Sequence, residues 1–230
     1  LGTANIQNTT AGVTAGRGGD ASAQGIQVIV ADSSLTAAKK INAKASENDA
    51  VNMTAGSAVV GKAALNAGVG IMNVEHKTGV TLSNASLKAP VIAVATESGG
   101  SDELDMYQGT GGVFGVNAAY GRVNTSGNNA IGIAGSTLIG DDITITASDT
   151  GSAKINSVGI SGGLIAAGVI VAQAANDSET AVSVNDSVLQ KLTTDPDKAD
   201  TSTININANK ANSVTAHAAG GAVGAAALNG

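Results

Sequence analysis

The sequence contains no cysteine and no tryptophan, and only two prolines and three aromatic residues (Tyr107, Phe114 and Tyr120) among 230. Without cysteine there is no disulfide scaffold, thiolate metal site or cysteine nucleophile. Charge is scarce too: 13% of residues are charged and the net charge is −6. An acidic chain poor in basic and stacking side chains lacks the means to grip nucleic acid. The longest apolar run, residues 162–175, is broken at Gln173 and built of small side chains, too short to span a bilayer as a helix. So few large side chains cannot fill a thick globular core at normal density. Disorder fits no better, since 43% of the residues are hydrophobic. What is left is a thin core of small and β-branched residues, repeated many times.

The repeat is written plainly in the chain. Leu35, Leu87, Leu138 and Leu189 follow one another at spacings of 52, 51 and 51 residues. Each is preceded by an apolar pair with one residue between, at Val28/Val30, Val80/Leu82, Ile131/Ile133 and Val182/Val184. Each is followed by another, led by Ile41, Ile92, Ile143 and Ile204. Glycine pairs at Gly111-Gly112, Gly162-Gly163 and Gly220-Gly221 read as a further landmark. Repeats fall at about 28–79, 80–130, 131–181 and 182–230, with 1–27 as the end of an earlier one. The chain opens at Leu1 in mid-pattern and reads as an internal piece of something longer. The fourth repeat carries an insertion over 191–200 that contains Asp195-Pro196-Asp197, a turn-rich polar run expected to bulge from the surface.

Within a repeat the short period is two. Ile143-Thr144-Ile145-Thr146-Ala147 and Ile204-Asn205-Ile206-Asn207-Ala208 alternate apolar and polar, the pattern of a half-buried strand. Asn, Asp, Gly and Ser mark the breaks, and helical periodicity is nowhere sustained. The fold expected is all-β: one parallel β-helix (β-solenoid) over 1–230, with about two coils in each 51-residue repeat, three coils of about 17 residues being the alternative. Such a fold needs only Ala, Val, Ile and Leu in its narrow lumen, and every rung covers its neighbour.

The run from Ala181 to Leu189, the alternating stretch from Ile204 to Ala208 and the small-residue stretch from Ala218 to Gly224 resemble the repeats of very large secreted bacterial exoproteins. These are the filamentous-haemagglutinin-like proteins of two-partner secretion, in particular the leukotoxin-type filamentous adhesins. The resemblance runs from about Val28 onward and rests on degenerate repeats. It implies a right-handed β-helix, export through an outer-membrane partner, a secreted or cell-surface location, and a role in adhesion, surface fibres or toxicity. The Asn-Pro motifs of that family's secretion domain are missing here, which implies stalk rather than export-recognised tip. Its partners would be other repeats of the same chain, end-to-end copies, and a host or neighbouring cell surface.

Candidate chemistry is thin. His76 and His217 are the only histidines and occupy non-equivalent positions of different repeats, so packed or solvated singletons account for them. A polysaccharide-acting β-helix enzyme would gather carboxylates and a base on one face. Glu97, Asp102, Glu103 and Asp105, with Asp141-Asp142, are the nearest acids, while Arg122 and Lys154 stand alone in sequence. Asp195, Asp197 and Asp200 of the inserted loop are the weak candidates for a hard cation, and a solvated acidic turn explains them more simply. The stretch from Gly109 to Gly115 looks superficially like a phosphate loop, but no Lys-Ser/Thr follows, and it reads as a tight corner. The expectation is therefore a non-enzymatic chain without cofactor, structural or adhesive. A cytotoxin segment and a polysaccharide-acting enzyme are the alternatives.

Overall fold

The computed structural model describes residues 4–8, 13–15, 20–23, 25–192 and 202–229, and every regular element among them is a β-strand. The strands are β1 (Ala4–Asn8), β2 (Val13–Ala15), β3 (Asp20–Ala23), β4 (Ile26–Ala31), β5 (Ser34–Thr36), β6 (Lys40–Ser83), β7 (Ser86–Lys88) and β8 (Val91–Ala134). There follow β9 (Thr137–Ile139), β10 (Asp142–Asp149), β11 (Ser152–Gly162), β12 (Ile165–Asn185), β13 (Val188–Gln190), β14 (Thr203–Lys210), β15 (Ser213–Val223) and β16 (Ala226–Asn229). They form a twelve-stranded sheet and a four-stranded sheet ordered β13-β9-β7-β5. All pairing is parallel except between β2 and β3.

Register reveals the construction. β6 pairs with β8 from Lys40↔Val91 to Ser83↔Ala134, a constant step of 51 residues. β8 pairs with β10, β11 and β12 at the same step. The last layer, β14 to β16, pairs at a step of 61. The ten extra residues lie between Gln190↔Ile139 and Thr203↔Asp142, where the insertion falls. The stacking unit is therefore one whole repeat. Two coils per repeat would have required pairing at about half that step, and the expectation is corrected on this point. Alternation and turn composition mark where strands lie, but they do not say which residues a strand pairs with.

The repeat landmarks stack as columns. Leu35, Leu87, Leu138 and Leu189 are direct neighbours through the four-stranded sheet. Ile41, Ile92, Ile143 and Ile204 form another column. One corner repeats in the left-handed backbone region, at Asp32, Asn84, Gly135 and Asp186 with φ between 47° and 57°. Asp, Asn and Gly are the residues that tolerate it. The serine after that corner is used in turn: Ser136 Oγ donates to Ala134 O (2.9 Å) and accepts from the Ala85 N–H of the layer below (3.1 Å).

β6 does not run straight. At about 3.3 Å per residue its 44 residues would far outreach the molecule. Instead the chain folds back near Gly61, so that Ser57 Oγ reaches Asn66 Oδ1 (2.9 Å) and Glu47 reaches His76 (3.0 Å). Each layer thus has two facing walls and a distal tip, with the short strands closing the opposite end. Glycine occupies the tip of every layer, at Gly61, Gly112, Gly163 and Gly224. A Cβ on Gly112 would lie 1.6 Å from the Gly61 carbonyl oxygen. Gly220-Gly221 is not part of this column: it pairs with Gly159 and Ile160, three residues short of the tip.

The core between the walls is divided. One apolar cluster, with Leu87, Ile92, Leu138 and Ile143 fully buried, fills the closed end. A second, around Met72, Leu104, Met106 and Ile155, lies further out. Each such buried Leu or Ile stabilises by about 1.5–3 kcal/mol relative to exposure. The terminal layers differ. Residues 9–19 separate Asn8 from Asp20, where 46–72 separate their partners Ala45 and Asn73. In the last layer β14 and β16 are exposed throughout.

Candidate functional site

Between the two apolar clusters runs a belt of buried polar side chains, centred on His76. The wall containing β6's return places Met72, Val74, His76, Thr78 and Val80 inward by simple alternation. His76 Nδ1 faces Glu47 Oε1 of the opposite wall at 3.0 Å, and Nε2 faces Asp102 Oδ2 of the next layer at 3.1 Å. Carboxylates only accept, so both ring nitrogens carry protons and the side chain is an imidazolium. Burial works against that charge, but the hydrogen bonds and charges of Asp102 and Glu47 outweigh it and push the pKa up to about 10. Thr125 Oγ1 donates to the same Asp102 oxygen (2.6 Å), and the Lys77 N–H donates to Glu47 Oε2 (3.1 Å). Gly100 leaves room for the ring, since a Cβ there would stand 3.3 Å from His76 Cε1, and Gly127 lies against the His76 backbone.

Two layers further on, a second knot follows the same plan without histidine, with Asp149 in the Glu47 column and Ser178 in the His76 column. Asp149 Oδ2 accepts from Ser178 Oγ (2.6 Å) and from Asn212 Nδ2 (2.8 Å), and Asn176 Oδ1 accepts from the Ser178 N–H (3.2 Å). The first knot is buried and the second half-buried. Their hydrogen bonds tie the walls together, and a cleft of about 430 Å³ lined by Glu47, Ser98 and Thr150 runs beside them.

The acids singled out from the sequence divide by alternation. Asp102 points inward, while Glu103 and Asp105 point outward and meet side chains stacked one layer on. Lys154 Nζ pairs with Glu103 Oε1 (2.6 Å), which holds its pKa above the usual lysine range. Asn156 donates to Glu103 (2.9 Å) and Asp105 (2.8 Å). Glu97 pairs outside with Lys44 (2.6 Å). His217 is exposed on the last layer. The stretch from Gly109 to Gly115 is the distal tip, with no helix after it. Asp195, Asp197 and Asp200 lie outside the described residues. Among the described residues no group of three or more His, Cys, Asp or Glu side chains is arranged to hold a metal.

The distal third of each layer has its polarity reversed. Inside, Asn66, Gln108, Asn117, Ser157 and Ser161 are buried. They tie the walls together: the Gln108 amide donates to Asn117 Oδ1 (3.0 Å), and Ser161 Oγ donates to Ala167 O (2.9 Å). Outside, Leu65, Phe114, Leu164, Ile165 and Val169 are at least half exposed. The reversal follows from the phase of the alternation: past the inner clusters the apolar residues fall on the opposite parity. Lys62 and Arg122 are the only charged residues on this outer surface among the described residues, at its edges.

No family model, curated protein or solved structure matches the chain.

Proposed function

We propose that the chain is a structural, non-enzymatic segment of a long secreted or cell-surface fibre, wound as a right-handed parallel β-helix with one coil per repeat. The observation that carries the reading is the parallel pairing of each repeat with the next, at a step of 51 residues from β6 through β12. Parallel crossovers in one sheet are right-handed in nearly all proteins, which supports the hand. At about 4.8 Å per layer, length grows only as repeats are added, the economy of a stalk. The resemblance to filamentous-haemagglutinin-like proteins supports the same reading, with export through an outer-membrane partner. The knots support it as well, because their carboxylates are consumed in wall-to-wall ties.

The stacking of layers makes the test direct. Electron microscopy of the concentrated protein should show strings that grow along the stacking direction. Ile204→Lys with Ile206→Lys places two charges where the next layer would sit, and should abolish the strings while leaving the circular dichroism spectrum all-β. Compact single bodies at every concentration, or turnover of acidic polysaccharides by the purified chain, would sink the proposal.

A further inference from the structure

The outer surface of the distal part is apolar on both walls, and the two walls differ in shape. On the outgoing wall, Tyr107, Val158 and Ile160 border a trough of about 540 Å³ floored by Gly56, Ala58 and Gly109. On the return wall, Phe114 stacks on Ile165, Leu65 stacks on Val116, and Val169 stands two columns beyond Ile165, which makes a ridge. All three aromatic residues of the chain lie on these two surfaces of a single layer, with Tyr107 and Phe114 about half exposed at 51% and 50%. Exposed aromatics at the centre of an apolar patch are the usual anchors of protein association.

We infer that the distal part is a side-by-side docking surface for a second copy of this chain, with the ridge of one molecule seated in the trough of the next. On the ridge Leu65, Phe114, Ile165 and Val169 are each at least half exposed, an apolar face that a second copy would cover. Its strands are flat and parallel, and sheets stack face to face about 10 Å apart. Among the described residues no Asp or Glu lies on the distal surface, so copies meeting there bring no like-charged carboxylates together. A lipid surface is less suited, because an interfacial face is normally rimmed with basic residues, and this one carries only Lys62 and Arg122. Ridge and trough lie on opposite walls, so the contact is head-to-tail and leaves a free ridge and a free trough after each addition.

The experiment is sedimentation velocity over a concentration series, in the Ile204→Lys, Ile206→Lys background, so that end-to-end stacking does not contribute. The expected result is concentration-dependent association. Phe114→Ser on the ridge should weaken it at least about tenfold, the loss typical of an anchor residue. Gly109→Val should do the same by filling the trough; a Cβ there meets only Ala58 Cβ at 3.9 Å, so the fold has room for it. Mixed together, the two variants retain one intact ridge and one intact trough between them, and should form a one-to-one complex and nothing larger. A background protein that sediments as a monomer throughout overturns the inference. So does association indifferent to both variants. Flotation with phosphatidylcholine vesicles without self-association would assign the surface to lipid and equally overturn it.

Discussion

At the scale of single residues, one side chain and two glycines carry consequences that measurement can reach. His76 is held protonated by Glu47 and Asp102, so its pKa is raised from 6.5 to about 10 on folding. A raised pKa means that the folded state binds the proton more tightly. The stability it contributes is complete below about pH 6.5 and is lost as the pH climbs through 10. Melting temperature should therefore fall between pH 6.5 and 10, and His76→Gln should flatten that slope; equal slopes in both proteins would contradict the imidazolium. Gly112→Ala would drive a methyl group into the Gly61 carbonyl, and should destabilise by about 3 kcal/mol in urea titration. Gly132→Ala, with nothing within 4 Å of the new carbon, should change stability by less than about 0.5 kcal/mol. None of the partnership around His76 was legible beforehand. Its partners lie 29 and 26 residues away, and only the inward phase of Glu47 and His76 within an apolar alternation hinted at it.

At the scale of strands, alternation was a sound guide to which side chains face inward, and a poor one to how strands pair. Ile143 and Ile145 are fully buried as the Ile-Thr-Ile-Thr pattern required, and the matching leucines do form a column. The number of layers per repeat was misjudged because the fold-back near Gly61 leaves no mark other than glycine. That mark was obscured in the fourth repeat, where Gly220-Gly221 precedes the tip and Gly224 occupies it. The aromatic scarcity was plain, but that Tyr107, Phe114 and Tyr120 gather on one tip requires knowing where the chain turns. Equivalent positions in different layers should now respond differently. Ile143→Asp buries an unpaired carboxylate between layers and should cost several kcal/mol. Ile204→Asp sits in the same column on the last layer, 49% exposed, and should cost less than about 1 kcal/mol. Chemical denaturation of the two variants side by side checks this.

At the scale of the whole molecule, the pairing step records where the chain can change length. The step of 51 becomes 61 across one connection and is regular again at once on the far side. Removing 191–200 should restore the common step and leave the thermal transition within a few degrees of the parent; loss of cooperative melting would mean that the insertion holds the last layer in place. The layered arrangement also decides how the molecule answers force. Hydrogen bonds between neighbouring layers point along the stacking direction, and the chain itself crosses each boundary only once, at the corner after the short strand, as between Lys88 and Val91 or Ile139 and Asp142. A lengthwise pull spread over one boundary loads dozens of bonds together, and the boundary holds. The same pull delivered through the chain at that corner opens them in sequence, as a zip does, so such a body would be tough as an anchored rope and weak wherever its thread is caught by one end.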